Sequence, residues 1–248
     1  MDWTKAKNII IIALIVTNLV MIGMLSGKYI NNQENARIEL ADTISMLASR
    51  NIAIKCELPD KIGARPILYV EYDHVDQNLI DSNLEKQVGI ANDKINEISV
   101  KQYVEEFLRT CSIMTKNVTL KNISEVDGEY KLEYENKVGK ITLDDSYIKC
   151  TVRQGKITDF KRVWLKPLEF GKTKREVMSI SSALVRFMNK IRQGTEKNDK
   201  ITISNIEFVY WLDTSSVNLN SPITDTAFPA WKFTYNNGKS IYIGGFEI

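Results

Sequence analysis

The sequence contains few of the residues that enzymes use for acid–base, nucleophilic or metal chemistry. Its 248 residues include one histidine, His74, which stands in YDHVD without a nucleophile motif beside it. The HExxH, GxSxG, Walker and GxGxxG patterns are absent. A triad needs a nucleophile and an orienting group around its histidine, and the sequence offers neither. We therefore predict that the protein is not an enzyme and that His74 lies at the surface.

Cysteine and unbalanced charge are also scarce. Cys56, Cys111 and Cys150 are far apart and form no CxxC pair, which argues against a zinc or dithiol site. We expect them to be small buried hydrophobic residues. The 33 Lys and Arg against 31 Asp and Glu leave a net charge of +2, so no strong field favours nucleic acid. No cofactor, metal or nucleic acid is expected.

One long apolar run is present, NIIIIALIVTNLVMIGMLSGK, and it carries no charge between residues 9 and 25. As a helix, residues 8–27 would span about 30 Å, the thickness of the hydrocarbon layer. The run exceeds the apolar region of a cleaved signal peptide, and MLSGK is a poor cleavage site. We predict an uncleaved transmembrane helix at residues 8–27. The short N-terminus, residues 1–7, favours a cytoplasmic start and an extracytoplasmic remainder.

Asn18 lies close to the middle of this run. An amide in hydrocarbon is unfavourable unless it finds a hydrogen-bond partner. Leu14, Ile22 and Leu25 share its helical face, whereas Gly23 begins a GxxxG spacing on a different face. These residues are the predicted contacts with another membrane protein. The alternative, in which Asn18 is tolerated in a lone helix and the glycines are neutral, stays open.

Three further helices are predicted. Residues 31–50 carry apolar residues at three-to-four-residue spacing, namely Ile38, Ala41, Ile44, Leu47 and Ala48. Ser99 and Gln102 form a capping box before a second apolar stripe. That stripe contains Val100, Tyr103, Val104, Phe107, Leu108 and Cys111. Thr173 and Glu176 form another box before the third helix, which contains Val177, Ile180, Ala183, Leu184, Phe187, Met188 and Ile191. These stripes indicate helices that cover a core.

Short alternating runs indicate strands. Two come early, in NIAIKCELP and RPILYVEYD, and residues 117–166 predict an antiparallel meander with turns at VDGE, NKVGK, LDDS and RQGK. The adjacent carboxylates Asp144 and Asp145 fall in the LDDS turn, and Glu105 and Glu106 fall on a helix face. Neither pair converges as hydrolase carboxylates do. Residues 201–248 predict three more strands, with a bulge near Ser204 and a hairpin at NNGK.

The order of elements places the chain in the α+β class. A helix followed by antiparallel strands occurs twice, which predicts two similar extracytoplasmic units, each a helix packed on an antiparallel sheet. The KPLEFGK segment, with Pro167 and Gly171, is the predicted boundary. The domains are then residues 28–166 and 167–248.

Several stretches, in order, resemble the YycI family. They are the opening MDWTKAKNIIIIALIVTNL, the passage LASRNIAIKCELP, SISSALVRFMNKI followed by ISNIEFVYWL, and the closing FPAWKFTYNNGKSIYIGGF. Together they cover both ends of the chain and most of its C-terminal third. Members of that family are membrane-anchored regulators found beside the YycFG (WalRK) two-component system of low-GC Gram-positive bacteria.

The resemblance implies a function. It suggests a regulator that acts with a YycH-like partner at a sensor histidine kinase of the YycG (WalK) type, and so adjusts the cell-wall programme. It also implies that the transmembrane helix makes much of the contact with the kinase. The residues alone leave a second hypothesis open: an envelope binding module or peptidase inhibitor in which the helix is only a tether.

Overall fold

A computed structural model describes residues 3–193, 199–212 and 225–247 of the chain. Within the first helix, the side chains described are those of residues 7–8, 11–24 and 34–49. The chain is a mixed α+β protein with a large sheet. It divides into two compact units, termed here the helical unit (Met1–Ile54 and Ile180–Thr202) and the sheet unit (Lys55–Ser179 and Ile203–Ile248).

The helical unit contains α1 (Trp3–Ser49), the short strand β1 (Ile52–Ile54) and α4 (Ile180–Arg192). The sequence predicts two helical pieces in the first fifty residues, but α1 is one helix of 47 residues, about 70 Å long. No proline interrupts it. It ends because Asn51 adopts a left-handed conformation with φ of +58°, as residues after helix ends commonly do.

The buried face of α1 is not the one that the apolar pattern predicts. Ile38 and Ile44 are exposed, and among the predicted stripe only Leu47 is buried. Thr43, one turn earlier, is buried beside it. The Thr43 hydroxyl donates to the carbonyl of Glu39 at 2.8 Å, so its polar atom is satisfied inside the helix. Among the described side chains of α1, Thr43 and Leu47 are the buried ones, and α1 packs against α4 in this unit.

The start of α4 also differs from the prediction. Thr173 and Glu176 do not cap a helix, and α4 begins at Ile180. The preceding backbone is extended, because Arg175 and Arg65 exchange two N–H···O=C bonds of 2.9 and 3.0 Å. Those bonds use groups that a helix would need. The predicted apolar stripe is otherwise confirmed in its buried members, Ala183, Leu184, Phe187, Met188 and Ile191.

The sheet unit is built mainly from long antiparallel strands. Their bounds are β2 Leu68–Tyr72, β3 Val118–Val126, β4 Glu129–Val138, β5 Ile141–Arg153, β6 Lys156–Val163, β7 Leu165–Phe170, β8 Ile201–Leu212, β9 Asp225–Tyr235 and β10 Lys239–Gly244. The strands pair in the order β3-β4-β5-β8-β9-β2-β7, with β6 on β5 and β10 on β9. The predicted meander is confirmed, as are the bulge between Ile203 and Asn205 and the final hairpin.

Two predictions about how the strands associate are wrong. The two blocks of strands form one sheet rather than two, because β5 and β8 pair in parallel at Thr142↔Val209 and Leu143↔Tyr210. The KPLEFGK segment is not a linker, since most of it forms β7, which pairs with β2. Leu165 at the start of β7 is fully buried, which binds this segment to the core.

The LDDS segment is a bulge within β5 rather than a turn. Pairing with β4 continues on both sides of it. The register shifts because Glu135 pairs with Tyr147 and the next residue, Asn136, pairs with Leu143, which leaves residues 144–146 between the two pairs. Asp145 takes φ of +58° there. Ser146 points into the core, where its hydroxyl accepts the N–H of Leu165 at 3.0 Å and the Asn136 amide at 2.9 Å. The bulge thus sends consecutive side chains to different surroundings.

Two helices complete the sheet unit, α2 (Gln77–Glu85) and α3 (Glu97–Thr110), with a 3-10 turn at Asn92–Lys94. The predicted S-x-x-Q cap of α3 is wrong. The cap is Asn96, which accepts the N–H groups of Ile98 and Ser99, while the Ser99 hydroxyl accepts the N–H of Asn96. The predicted stripe is confirmed and packs in one core with β3–β6; its buried members are Val100, Val104, Phe107, Leu108 and Cys111.

Candidate interaction site

A continuous run of exposed apolar side chains covers residues 11–24 of α1. Ten large ones are 45–66% exposed. Single exposed apolar residues are ordinary, but a contiguous run of this size is typical of a surface that another molecule covers. Within the described residues, no helix has both the length and the apolar character required to cross a membrane.

The predicted contact residues lie on this run. Leu14, Asn18 and Ile22 follow one another at four-residue spacing, so they share one face of α1 and all are exposed. Gly23 lies about 140° around the helix from Asn18. A Cβ added at Gly23 would meet no atom within 4 Å. The side chain of Leu25 lies outside the described residues.

Two polar side chains in the run differ in how they are satisfied. The Thr17 hydroxyl donates to the carbonyl of Ala13 at 2.8 Å, one turn earlier. In the described part of the chain, the Asn18 amide forms no hydrogen bond. Thr17 therefore carries its partner within α1, whereas Asn18 offers both a donor and an acceptor to another molecule.

The C-terminal end of α1 is fixed within the helical unit. The guanidinium of Arg192, the last residue of α4, donates to the carbonyls of Arg50 and Asp199. The Asn51 carbonyl accepts the N–H of Ile201 at 2.9 Å. Carbonyls at a helix end have no partner inside the helix, so these bonds satisfy groups around the terminus of α1. One end of the long helix is held while the apolar run near the other end is exposed.

A second cluster lies on the sheet unit, and no sequence pattern predicts it. Asp144, placed by the β5 bulge, accepts hydrogen bonds from the Lys232 ammonium at 2.9 Å and from the Tyr242 hydroxyl at 2.6 Å. The Asp144 and Lys232 side chains are only 13% and 18% exposed. Trp211 of β8 stacks on the Tyr242 ring at 4.8 Å between centroids, with the planes 5° apart.

The electrostatics of this cluster favour binding or structural support over proton transfer. Burial, followed by the hydrogen bond to Asp144, raises the pKa of Tyr242, so its hydroxyl remains a donor at neutral pH. Burial and the charge of Asp144 raise the pKa of Asp145. The alternation of side chains along β8 and β9 places Glu207, Lys232 and Trp211 on one face of the sheet, with Glu207 directly opposite Lys232. This is the part of the cluster that a sequence pattern can indicate. Nothing in the sequence places Asp144, 88 residues away from Lys232, beside them.

The residues that the sequence singles out for possible chemistry remain apart. His74 is exposed, as predicted. Glu105 forms ion pairs on α3 with Lys101 at 3.8 Å and Arg109 at 3.3 Å. Over the described ranges, no group of three or more His, Cys, Asp or Glu residues could hold a metal ion.

The three cysteines are free thiols. Cys111 and Cys150 are buried, as predicted, whereas Cys56 is half-buried. Burial raises the pKa of Cys150 to about 12, and it also raises the pKa of Cys56 and Cys111. All three therefore stay protonated near neutral pH and are poor nucleophiles.

No family model matches the chain, and no curated protein does. Among solved structures, the chain is weakly similar to the Bacillus megaterium YpeB C-terminal domain. The identity is 8% and the TM-score is 0.34, and the match covers 66% of this chain and 66% of that chain.

Proposed function

We propose that the chain is a membrane-anchored regulator of a sensor histidine kinase of the YycG (WalK) type, acting with a YycH-like partner to modulate envelope gene expression. Residues 8–27 would cross the cell membrane, with residues 1–7 in the cytoplasm. The remainder would lie outside the cell. The partners and their chemistry come from the sequence resemblance to the YycI family.

One observation supports this proposal most strongly: the exposed apolar run of α1 carries an amide, Asn18, without a hydrogen bond in the described chain. Lipid can cover Leu14 and Ile22, but it offers no hydrogen bond to Asn18. A transmembrane helix of another protein supplies both packing and a polar partner. α1 is also continuous from the apolar run to its anchored end, so a contact near Asn18 bears on the folded part of the helical unit.

Replacing Asn18 by leucine tests the role of this face. The kinase and the full-length protein are co-expressed, and the amount of kinase that co-purifies from solubilised membranes is measured together with regulon output. A polar pair within a membrane is worth about 1–2 kcal/mol, so Asn18→Leu should lower association about 5- to 30-fold. Thr17→Val is the matched control, because its hydroxyl is already bonded to Ala13 and its loss should leave association unchanged.

Unchanged co-purification and unchanged regulon output in Asn18→Leu would contradict the role given to this residue. If the native protein itself failed to associate with the kinase, the proposed function as a whole would fail.

The second hypothesis, an envelope binding module with a membrane tether, is favoured by a different observation. Phe228 is exposed and is the direct cross-strand neighbour of Trp211, so aromatic rings line a face of the sheet outside the apolar run. The sheet edges favour strand addition less, since β7 contains Pro167 and β3 has a register shift between Leu120 and Asn122.

Exchanging residues 1–28 for an unrelated single-pass anchor separates the two functions. Loss of regulation in the exchanged protein supports the kinase regulator, because the Asn18 face is then missing. Full retention of regulation supports the tethered binding module.

A further inference from the structure

We propose that the partner's transmembrane helix docks on the same face of α1 that packs against α4, so that the intramolecular helix contact and the intermolecular one form a single seam. This inference rests on the proposed function and specifies where on α1 the partner lies. It also requires that the rotational position of the apolar run be fixed relative to α4.

The spacing along α1 places the two contact regions in phase. Asn18 and the buried Thr43 are 25 residues apart, and seven turns of an α-helix take about 25.2 residues. Asn18 and the buried Leu47 are 29 residues apart, and eight turns take about 28.8. Each buried residue therefore lies within about 20° of Asn18 around the helix, and the two fall on opposite sides of it.

The opposite face of α1 is exposed, also in the part of the helix where Thr43 and Leu47 are buried. Val16 and Val20 lie about 160° from Asn18, on either side of the far face. Ile38 lies on that far face too, and it is exposed, whereas Thr43 and Leu47, five and nine residues later, are buried. In this part of the helix, the buried side chains thus lie on the same side of α1 as Asn18, and the apolar pattern of the sequence does not predict which they are.

Contacts at the C-terminal end of α1 oppose rotation of the helix about its axis. Hydrogen bonds from Arg192 to Arg50 and from Ile201 to Asn51 hold the terminus of α1, and Thr43 and Leu47 are buried just before it. Rotation of α1 about its axis would expose Leu47 and strain these bonds. Because α1 is helical throughout, its backbone hydrogen bonds transmit that constraint over the roughly 37 Å between Thr43 and Asn18.

The partner that fits this face is a transmembrane helix with a hydrogen-bonding side chain at the depth of Asn18. An amide can both donate and accept, so Ser, Thr, Asn, Gln or a protonated carboxyl would suit it. Leu14 and Ile22, one turn away on either side, provide apolar packing around that bond. The seam continues the α1–α4 interface toward the N-terminus of α1.

Site-specific photo-crosslinking in membranes tests which face the partner occupies. A photoreactive residue is placed at position 14 or 22 on the predicted face, and at position 16 or 20 on the far face, in the full-length protein co-expressed with the kinase. The native side chains at all four positions are exposed, and Asn18 is kept in every variant. Adducts with the kinase or the YycH-like protein should form from 14 and 22 in clear excess over 16 and 20. Equal yields, or an excess from 16 and 20, would overturn the proposal.

Alanine insertions between Asn35 and Ala36 test the phase itself. Both residues are exposed, so the insertions fall outside the packed part of α1. Two alanines rotate the apolar run by about 200° and lengthen the helix by about 3 Å. Seven alanines rotate it by only about −20° but lengthen it by about 10 Å. Association should fall about fivefold or more with two alanines and largely recover with seven.

The remaining outcomes are distinguishable. Retention with both insertions would mean that α1 acts as a swivelling tether, and equal loss with both would mean that length rather than phase matters; either overturns the inference. The proposed function survives those results if the uninserted protein associates with the kinase and Asn18→Leu weakens that association. Failure of the uninserted protein to associate would overturn both.

Discussion

Replacing Asp144 by asparagine should lower the free energy of unfolding by about 3 kcal/mol. The change keeps the size of the side chain but removes the charge opposite Lys232. Breaking a fully buried ion pair costs about 3–5 kcal/mol, and an exposed pair is worth about 0.2–1 kcal/mol. At 13% and 18% exposure this pair lies between the two limits, so we expect about 2 kcal/mol. Weakening the hydrogen bond from Tyr242 adds about 1 kcal/mol.

Urea unfolding of the full-length protein in detergent, followed by circular dichroism, measures this loss. Lys232→Met and the double variant complete a double-mutant cycle. The double variant should lose less than the sum of the single variants, with a coupling energy of about 1 kcal/mol or more, because neither charge is then left alone. Asp159→Asn is the matched control, since Asp159 is an exposed aspartate in the same sheet; it should change stability by less than about 0.5 kcal/mol.

The reasoning would be refuted by a loss in Asp144→Asn no larger than in the control. Strict additivity in the cycle would also refute it, because the two side chains would then not interact.

Three further changes give separable results in the same unfolding assay. Asp145→Asn should stabilise by about 0.5 kcal/mol at pH 7 by removing repulsion from the neighbouring carboxylate, and asparagine tolerates φ of +58° equally well. Because folding raises the Asp145 pKa, the unfavourable contribution of Asp145 to stability is present at pH 7 and is lost as pH falls through its folded and then its unfolded pKa, so the advantage of asparagine should vanish below about pH 4. Gly245→Ala should cost about 1–3 kcal/mol, since its Cβ would lie 2.7 Å from a backbone carbonyl oxygen, whereas Gly244→Ala meets nothing within 4 Å and should be neutral or slightly stabilising. Asn96→Ala should cost about 1 kcal/mol, and Gln102→Ala, at the residue wrongly assigned to the cap, should cost almost nothing.

Features governed by local periodicity could be predicted from the sequence. The apolar stripe of α3 and the alternation of β3–β6 both report which face of an element is buried, and the structure buries those faces. The slip between Ile203 and Ile206 predicts a bulge because a strand cannot change face without an extra residue. The first residue of a helix is harder to predict. Asn96 and Ser99 are both residue types that favour an N-cap, and only the backbone geometry decides between them.

Features that depend on distant pairing could not be predicted. The parallel contact between β5 and β8 joins Thr142 to Val209, and no local pattern encodes a partner so far along the chain. The same limit hid the Asp144–Lys232 pair, because an LDDS segment reads as a turn unless the strand opposite it is known. On α1, the pattern of apolar residues points to Ile38 and Ile44, but the fold buries Thr43 instead, whose hydroxyl bonds within the helix.

The size of the exposed apolar run of α1 sets the free energy that a covering molecule can gain. Ten large apolar side chains between Ile11 and Met24 are about half exposed. Removing the rest of their surface from water is worth about 1 kcal/mol each, or about 10 kcal/mol in total. That is comparable to the whole stability of a typical domain, so a molecule that covers the run gains a large free energy. If residues 8–27 cross a membrane as proposed, lipid alone and lipid with a partner helix supply this term equally, and the two differ in whether Asn18 is hydrogen-bonded. The two hypotheses, the kinase regulator and the tethered binding module, therefore differ in whether the Asn18 amide has a hydrogen-bond partner. For this reason, Asn18→Leu distinguishes them better than any change to the surrounding apolar residues.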